Sequence, residues 1–512
     1  MRGYHRDAVL LVAALVLVQG CGTGQPVTQP GHTQAGQSAQ TRSGTVAHAV
    51  TQPCYVVLTD LAESDPYFEA VRQLQAYRSA QVVRFPTGNV AEAIGAIRQA
   101  RPEFVAVVVR PETLDINFAY DMLEMSAKVD DDPFVDFAYG FITGSTATDA
   151  VELVKRTIAM EAGTPPARRR LFAFGPSSVP QADVGNAFAW LPTWQSVRIE
   201  HKPGQFPQTN LSDLAAADVI RFWGHGAPDS VDGSIACADL KTITVHAVVF
   251  AGPCLSAVVK RYYDSAKRHG KLKVMSVSAD QSLALTFLSK GAPAYFGALQ
   301  DDRCISAGQE MEYALTSGEP LGMTIKHSYD RIAMAQTNDG IRLVRFRAGK
   351  PTPSHDGLDA QVRLAAAMVL LGDPAFRPFA ATVGQPVETA ALTTPTGVEI
   401  VATIVDPRVR SLFVDQFYSD LGVCGDTDND TLYVRVRLPE GTGAIRSVRR
   451  VELPSSLERV EHSDVTWEEE QWQDERFLHL QIDFEPDTLQ DATNATVRFV
   501  MDVAKTDTKL KN

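Results

Sequence analysis

The chain has 512 residues, of which 45% are hydrophobic and 21% charged, and its formal net charge is −13. That length exceeds one ordinary domain, so two or three are expected, with enough material for a sizeable core. The acidic balance argues against a general binder of the nucleic-acid backbone, which needs a basic face, and no nucleic-acid partner is expected.

Arg2 and Arg6 precede the apolar run AVLLVAALVLV, and a small residue then leads into Cys21. Residues 1–20 therefore read as an export signal, too short to be a comfortable membrane span. The segment VQGC resembles a bacterial lipobox, in which Cys21 becomes the lipidated first residue. That resemblance implies an exported lipoprotein, held to a lipid bilayer at the outer membrane or cell surface. The alternative is an ordinary signal peptide with an incidental cysteine. Residues 21–50 are rich in Gly, Gln, Thr, Ser and Ala and read as a flexible tether. With Cys21 set aside, Cys54, Cys237, Cys254, Cys304 and Cys424 remain, an odd number that predicts a free thiol. There is no CxxC or HExxH segment of the kind that holds zinc.

From residue 51 short apolar runs alternate with helical spacing. Strands are expected at 55–60, 81–85, 104–110, 136–143 and 169–175, and helices after the first, second and fourth of them. The pattern continues with strands at 218–224, 246–252, 273–279 and 294–299. Helices are expected at 281–291, 306–316, 319–336 and 360–371, closing at LLGDPAF. Such alternation predicts an α/β unit, a mostly parallel sheet flanked by helices, over 51–384. From 385 to 512 the runs TGVEIVATIV, LYVRVRLP, FLHLQIDF and ATVRFVMDV alternate apolar and polar residues with turns between them, which predicts an antiparallel β-sandwich.

Two of the α/β strands end in chemistry-bearing residues. DVIRFWG runs into His225 and Gly226, and HAVVFAG runs into Pro253 and Cys254. In open α/β sheets ligands bind beyond the carboxyl ends of strands. If these two strands are neighbours, an imidazole faces a thiol, and histidine is the usual base that generates a thiolate near neutral pH. A glycine after the histidine lets a backbone N–H approach a bound carbonyl, and the N–H groups of Gly226 and Cys254 would form an oxyanion hole. The plainer reading is a turn histidine and a small buried cysteine.

FWGHG followed by VVFAGPCLSA resembles the His-Gly and strand-Cys signature of caspase-like cysteine peptidases, and within them the gingipain family. DFAYGFITGSTATDAVELVKRTIAMEA, SLALTFLSKGAPAYFGAL and LLGDPAF resemble further segments of that family in the same order, over roughly 55–380. The resemblance implies a caspase-like fold followed by a β-sandwich, a peptidase acting on protein or peptide substrates, His225 as general acid/base, Cys254 as nucleophile, and no cofactor for catalysis. Pro253 and Phe141 stand where relatives usually have a small residue and an arginine. A caspase-like scaffold that binds at the cell surface without catalysis is the second reading.

By the same resemblance Asp132 would be the acid that receives a basic substrate side chain. Its alternative is a loop acid, since Asp130, Asp131 and Asp132 precede Pro133. Glu112 and Asp115, after the third strand, are candidates to orient His225. Asp426, Asp428 and Asp430 alternate in CGDTDNDTLYVRV, a spacing open to structural calcium, but the segment lacks the glycine and the terminal glutamate of an EF-hand, so a turn is the simpler reading.

Overall fold

The structure is a computed structural model. It describes residues 54–163, 170–176, 195–201, 210–222, 224–264, 270–300, 308–335, 343–351, 353, 366–395, 397–406, 430–454, 457, 465–485, 488–489 and 492–504. The export signal, Cys21 and the tether lie outside these residues, as do Cys304, Cys424, Asp426 and Asp428.

The α/β unit is built on ten strands among the described residues. In chain order they are β1 (Tyr55–Thr59), β2 (Gln81–Arg84), β3 (Phe104–Val108), β4 (Ala138–Ile142), β5 (Arg170–Pro176), β6 (Gln195–His201), β7 (Val219–Phe222), β11 (Val248–Ala251), β14 (Tyr295–Ala298) and β15 (Met368–Leu371). Between them come the short strands β8 (Gly226–Ala227), β9 (Ser230–Val231) and β10 (Ile235–Ala236), then β12 (Arg261–Asp264) and β13 (Lys273–Ser276). The sheet order is β2-β1-β3-β4-β15-β14-β11-β7-β5-β6. Every neighbouring pair is parallel except β14 with β15, so the strands on either side of that pair run in opposite senses. The central strands β1, β3, β4, β7, β11, β14 and β15 are buried along their whole length. This is why they read as continuous apolar runs: helices cover both faces of a parallel sheet.

Two halves meet at β4 and β15. The amide of Gly372 donates to the carbonyl of Phe141 at 2.8 Å. A Cβ on Gly140 would sit 2.5 Å from the carbonyl oxygen of Gly372, so only glycine lets these backbones approach so closely. Phe141 is fully buried between Phe118 and Tyr139, with ring centroids at 6.1 and 5.9 Å. A phenylalanine there is core.

Two sequence expectations are corrected. The run ending at Leu371 was expected to be helical, yet 368–371 is β15. Alanine-rich composition favours helix in isolation, but four apolar residues wedged between β14 and β4 gain more from ladder hydrogen bonds and burial on both faces. The run 273–279 was expected to join the main sheet. Instead β13, exposed along its whole length, pairs antiparallel with β12 as a two-stranded ribbon. Alternating Lys, Val, Met and Ser satisfies a two-stranded ribbon as readily as a sheet.

The sandwich has one sheet of β16 (Val387–Thr394), β17 (Gly397–Ile404), β22 (Thr496–Val503) and β19 (Ile445–Glu452). The other holds β18 (Asp430–Arg437), β21 (Glu475–Phe484) and β20 (Thr466–Trp472). All its pairings are antiparallel. Alternate residues of β17, β18, β21 and β22, among them Ile400, Val434, Leu480 and Phe499, fill a core separate from that of the α/β unit.

The two cores join through a polar knot. On the helix Leu321–Ala335, Lys326 is wholly buried and donates to Asp330 at 2.9 Å, to Glu470 of β20 at 2.7 Å and to the carbonyl of Val135 at 2.5 Å. His479 of β21 donates its Nε2–H to the Glu470 carboxylate at 2.7 Å and stacks on Phe134 at 3.9 Å between centroids. Phe134 belongs to a small cluster with Ala333, Met334 and Tyr433 that bridges both units.

Candidate active site

β7 and β11 are parallel neighbours in register, Val219 opposite Val248 through Phe222 opposite Ala251. The pairing continues one step further, because Gly252 donates to the carbonyl of Phe222 at 3.1 Å. Both strands therefore release their chains at the same level and on the same edge. Strand order reverses between β5 and β7, and the crevice outside such a reversal is the usual ligand position in open α/β sheets. The strands are locked beneath by aromatic packing. Phe222 lies 6.2 Å from Phe174 and 5.8 Å from Phe287, and Phe250 stacks on Phe296 at 5.5 Å. Arg221, buried in β7, sits over the Phe250 ring at 5.3 Å and pairs with buried Glu312.

His225 leaves β7 exposed to solvent after Gly224, whose φ of +109° takes the chain through a bend open to glycine. Asp232 fixes its backbone: the His225 N–H donates to Asp232 Oδ1 at 2.9 Å, and the Asp232 N–H donates to the His225 carbonyl at 2.8 Å. Asp232 and Gly233 both have positive φ, +49° and +61°, and Ser234 donates to the carbonyl of Val231 at 2.8 Å. That is a type I′ turn on an Asp-Gly pair, joining β9 to β10. β8 pairs with β9, and the amide of Leu283, at the start of the helix Leu283–Ser289, donates to the carbonyl of Pro228 at 2.7 Å. The loop bearing His225 is thus held by a three-strand ribbon and a helix start.

Cys254 is half-buried in the turn after β11. Leu255 follows it with φ of +60°, a left-handed conformation that costs a non-glycine residue about 1–3 kcal/mol and persists only where surroundings impose it. The surroundings are visible. Leu255 donates to the carbonyl of Gln300 at 3.2 Å and Ala257 to that of Ala298 at 2.8 Å. The Ser256 hydroxyl donates to the carbonyl of Ala251 at 2.7 Å and accepts from the amide of Ala298 at 3.2 Å. Tyr295, buried in β14, donates its hydroxyl to the Ser256 carbonyl at 2.8 Å. These bonds pin the turn after the cysteine to its own strand, to β14 and to Gln300 just beyond it.

The two turns touch. A Cβ on Gly226 would collide with the carbonyl oxygen of Cys254, and would lie 2.7 Å from Cβ of Pro253. Gly226 does not have a positive φ, so close approach alone requires glycine here. The turn that carries His225 and the turn that carries Cys254 therefore meet at the mouth of the sheet, through Gly226, Pro253 and the Cys254 carbonyl.

The other expected site residues lie elsewhere. Asp132 sits at the joint with the sandwich, where one carboxylate oxygen accepts from the amide of Gln471 at 2.8 Å and the other from that of Phe134 at 2.9 Å. Burial pushes its carboxyl up to about 7, against the pull of the Gln471 N–H. These two bonds give Asp132 a structural part at the joint. Asp115 caps the helix Ile116–Ser126 through the amide of Phe118 at 3.0 Å and holds Arg261 at 2.8 Å. Its carboxylate is committed there. Glu112 lies close enough to Tyr67 to raise the pKa of its phenol, although burial is the larger cause. Among the described residues Asp232 is a carboxylate that meets the backbone of His225, and the Asp-Gly pair that carries it is a strong turn signal in the sequence.

Cys54 and Cys237 are thiols outside any disulfide. Burial raises the pKa of both. Among the described residues no group of three or more His, Cys, Asp or Glu side chains is arranged to hold a metal. Asp430 opens β18, and no helix among the described residues is long and apolar enough to cross a membrane.

Fold and site together define an α/β sheet with a thiol and an imidazole on neighbouring strand ends, followed by a β-sandwich. No protein-family model matches the chain, and no curated protein matches it. Among solved structures, it is similar to one described as a protease, at 12% identity and a TM-score of 0.45, covering 69% of this chain and 85% of that one. It is also similar to the Arg-specific cysteine proteinase gingipain R, at 10% identity and a TM-score of 0.44, covering 69% and 84%. The complex of the Porphyromonas gingivalis RgpB pro- and mature domains gives 10% identity and a TM-score of 0.45, covering 68% and 86%.

Proposed function

We propose that the protein is an exported cysteine endopeptidase, anchored through a lipid on Cys21, that hydrolyses peptide bonds with Cys254 and His225. The observation that carries the reading is the direct packing of Gly226 on the Cys254 carbonyl, which brings two strand-end turns of the right residue types into one surface. His225 takes the proton of the Cys254 thiol as sulfur attacks the scissile carbonyl carbon. The carbonyl oxygen gathers charge, and the N–H groups of Gly226 and Cys254 receive it. His225 then returns the proton to the leaving amine, the C–N bond breaks, and a thioester remains on Cys254. Water attacks the thioester, His225 accepts its proton, the acid product leaves, and the sulfur is released. Asp232 acts on this chemistry by holding the backbone that carries the imidazole.

The substrate is a protein or peptide, and the sandwich serves as a docking or spacer module. The test is cleavage of a peptide library by the full chain, compared with Cys254→Ala. Products that vanish in the variant support the reading. Equal patterns in both, or no cleavage by either, favour a scaffold that binds without catalysis, the reading that Pro253 motivates.

A further inference from the structure

Where the α/β unit meets the sandwich there is a cavity of about 250 Å³, remote in sequence from the His225 and Cys254 turns. The helices Gly308–Ser317 and Leu321–Ala335 supply one wall, and β16 and β18 the other. Tyr313, Pro386, Val387 and Val434 make the lining largely apolar. Two polar atoms in it stand out. Thr324 is 1% exposed, and its hydroxyl oxygen has no hydrogen-bond partner. Arg435 spends its Nε on Glu470 at 2.7 Å, with the guanidinium 3.5 Å above the Phe477 ring, yet its buried Nη2 has no partner.

Buried polar groups are almost always paired, and each exception asks for a water, an ion or a ligand. A volume of about 250 Å³ is on the order of eight waters at about 30 Å³ each, and apolar walls do not hold a water cluster that size in place. A concave, mostly apolar cavity with a few converging polar groups is the usual form of a small-molecule site. A guanidinium N–H and a hydroxyl lining one cavity suit a carboxylate: the Nη2 donates to one oxygen, and the hydroxyl donates to the second. The acid that also lines the cavity, Glu319, is already answered by His327 at 3.6 Å and by Gln385.

We propose that this cavity binds a small organic carboxylate with an apolar body, seated between the helix Leu321–Ala335 and β18, and that its occupancy fastens the sandwich to the α/β unit. The inference is independent of the peptidase reading, and a protein without catalytic activity would still show it.

The test is calorimetric titration of the full chain with 3-phenylpropionate and, separately, with the matched neutral amide. The carboxylate should bind saturably at one site and raise the melting temperature, and the amide should bind at least about tenfold more weakly. Arg435→Lys should weaken carboxylate binding by about tenfold or more, because a lysine lacks the planar fork. Thr324→Val, which keeps the shape and the fold, should weaken it about five- to tenfold. Absence of saturable binding up to 10-millimolar order, amide binding as tight as the acid, or unchanged affinity in Thr324→Val would each overturn the proposal.

Discussion

Gly226 and Cys254 lie so close that the space a β-carbon would need at position 226 is filled by the carbonyl oxygen of residue 254. This contact ties the loop after β7 to the turn after β11. It brings the two sequence signals onto touching turns.

Gly226→Ala must therefore push the two turns apart. Overpacking of this kind costs about 1–3 kcal/mol, read as a lower denaturation midpoint. Because a displacement near 1 Å can cost about 100-fold in rate, peptide cleavage should fall by about that factor. A variant with full activity would show that the contact is incidental to the chemistry.

From a left-handed position Asp232 holds the His225 backbone twice, its carboxylate accepting from the His225 N–H and its own N–H donating to the His225 carbonyl. Asparagine tolerates that conformation and keeps an acceptor, and alanine does neither. Asp232→Asn should retain most activity, whereas Asp232→Ala should lose about 1–2 kcal/mol of stability and a larger share of kcat than of KM. Equal effects of the two substitutions would contradict a positioning role.

Lys326 is the single buried ammonium shared by Asp330 and Glu470 at the joint between units. Lys326→Met leaves buried Asp330 without this cation and Glu470 with Arg435 and His479 alone, and breaking a buried pair in this way costs about 3–5 kcal/mol. A chemical denaturation series measures the loss. A loss under about 1 kcal/mol would mean that the knot is open to water.

At the same joint, burial raises Asp132 from 3.8 to about 7 in the folded chain. The folded protein then binds a proton that the unfolded chain releases at lower pH. The stabilisation is fully present below about pH 4 and is lost as pH rises through about 7. Burial and the neighbouring Asp130 raise Asp136 in the same direction. Thermal melts from pH 4 to 8 should fall with rising pH, and Asp132→Asn should make that slope shallower. A slope unchanged by the substitution would remove Asp132 as its source.

Much of this was legible in the chain itself. Fully buried parallel strands leave continuous apolar runs, and β1, β3, β7 and β11 appear where those runs stand. His225 and Cys254 were readable as strand-end residues because glycine and proline punctuate the strands there. The strand β15 was not readable, since four apolar residues carry no period, and only the gap between β14 and β4 decides their conformation. The two backbone amides that Asp132 meets were not readable either, since an acid near a strand start looks the same in sequence whatever it faces.

The most direct test of the account is the rate of iodoacetamide alkylation at Cys254 near pH 6, followed by peptide mass spectrometry. Cys54 serves as a reference in the same chain, being exposed and carrying a thiol whose pKa burial has raised. An imidazole that activates the sulfur should make Cys254 react at least about tenfold faster than Cys54, and His225→Ala should abolish the advantage. Equal rates at the two cysteines, or a Cys254 rate indifferent to His225→Ala, would contradict it.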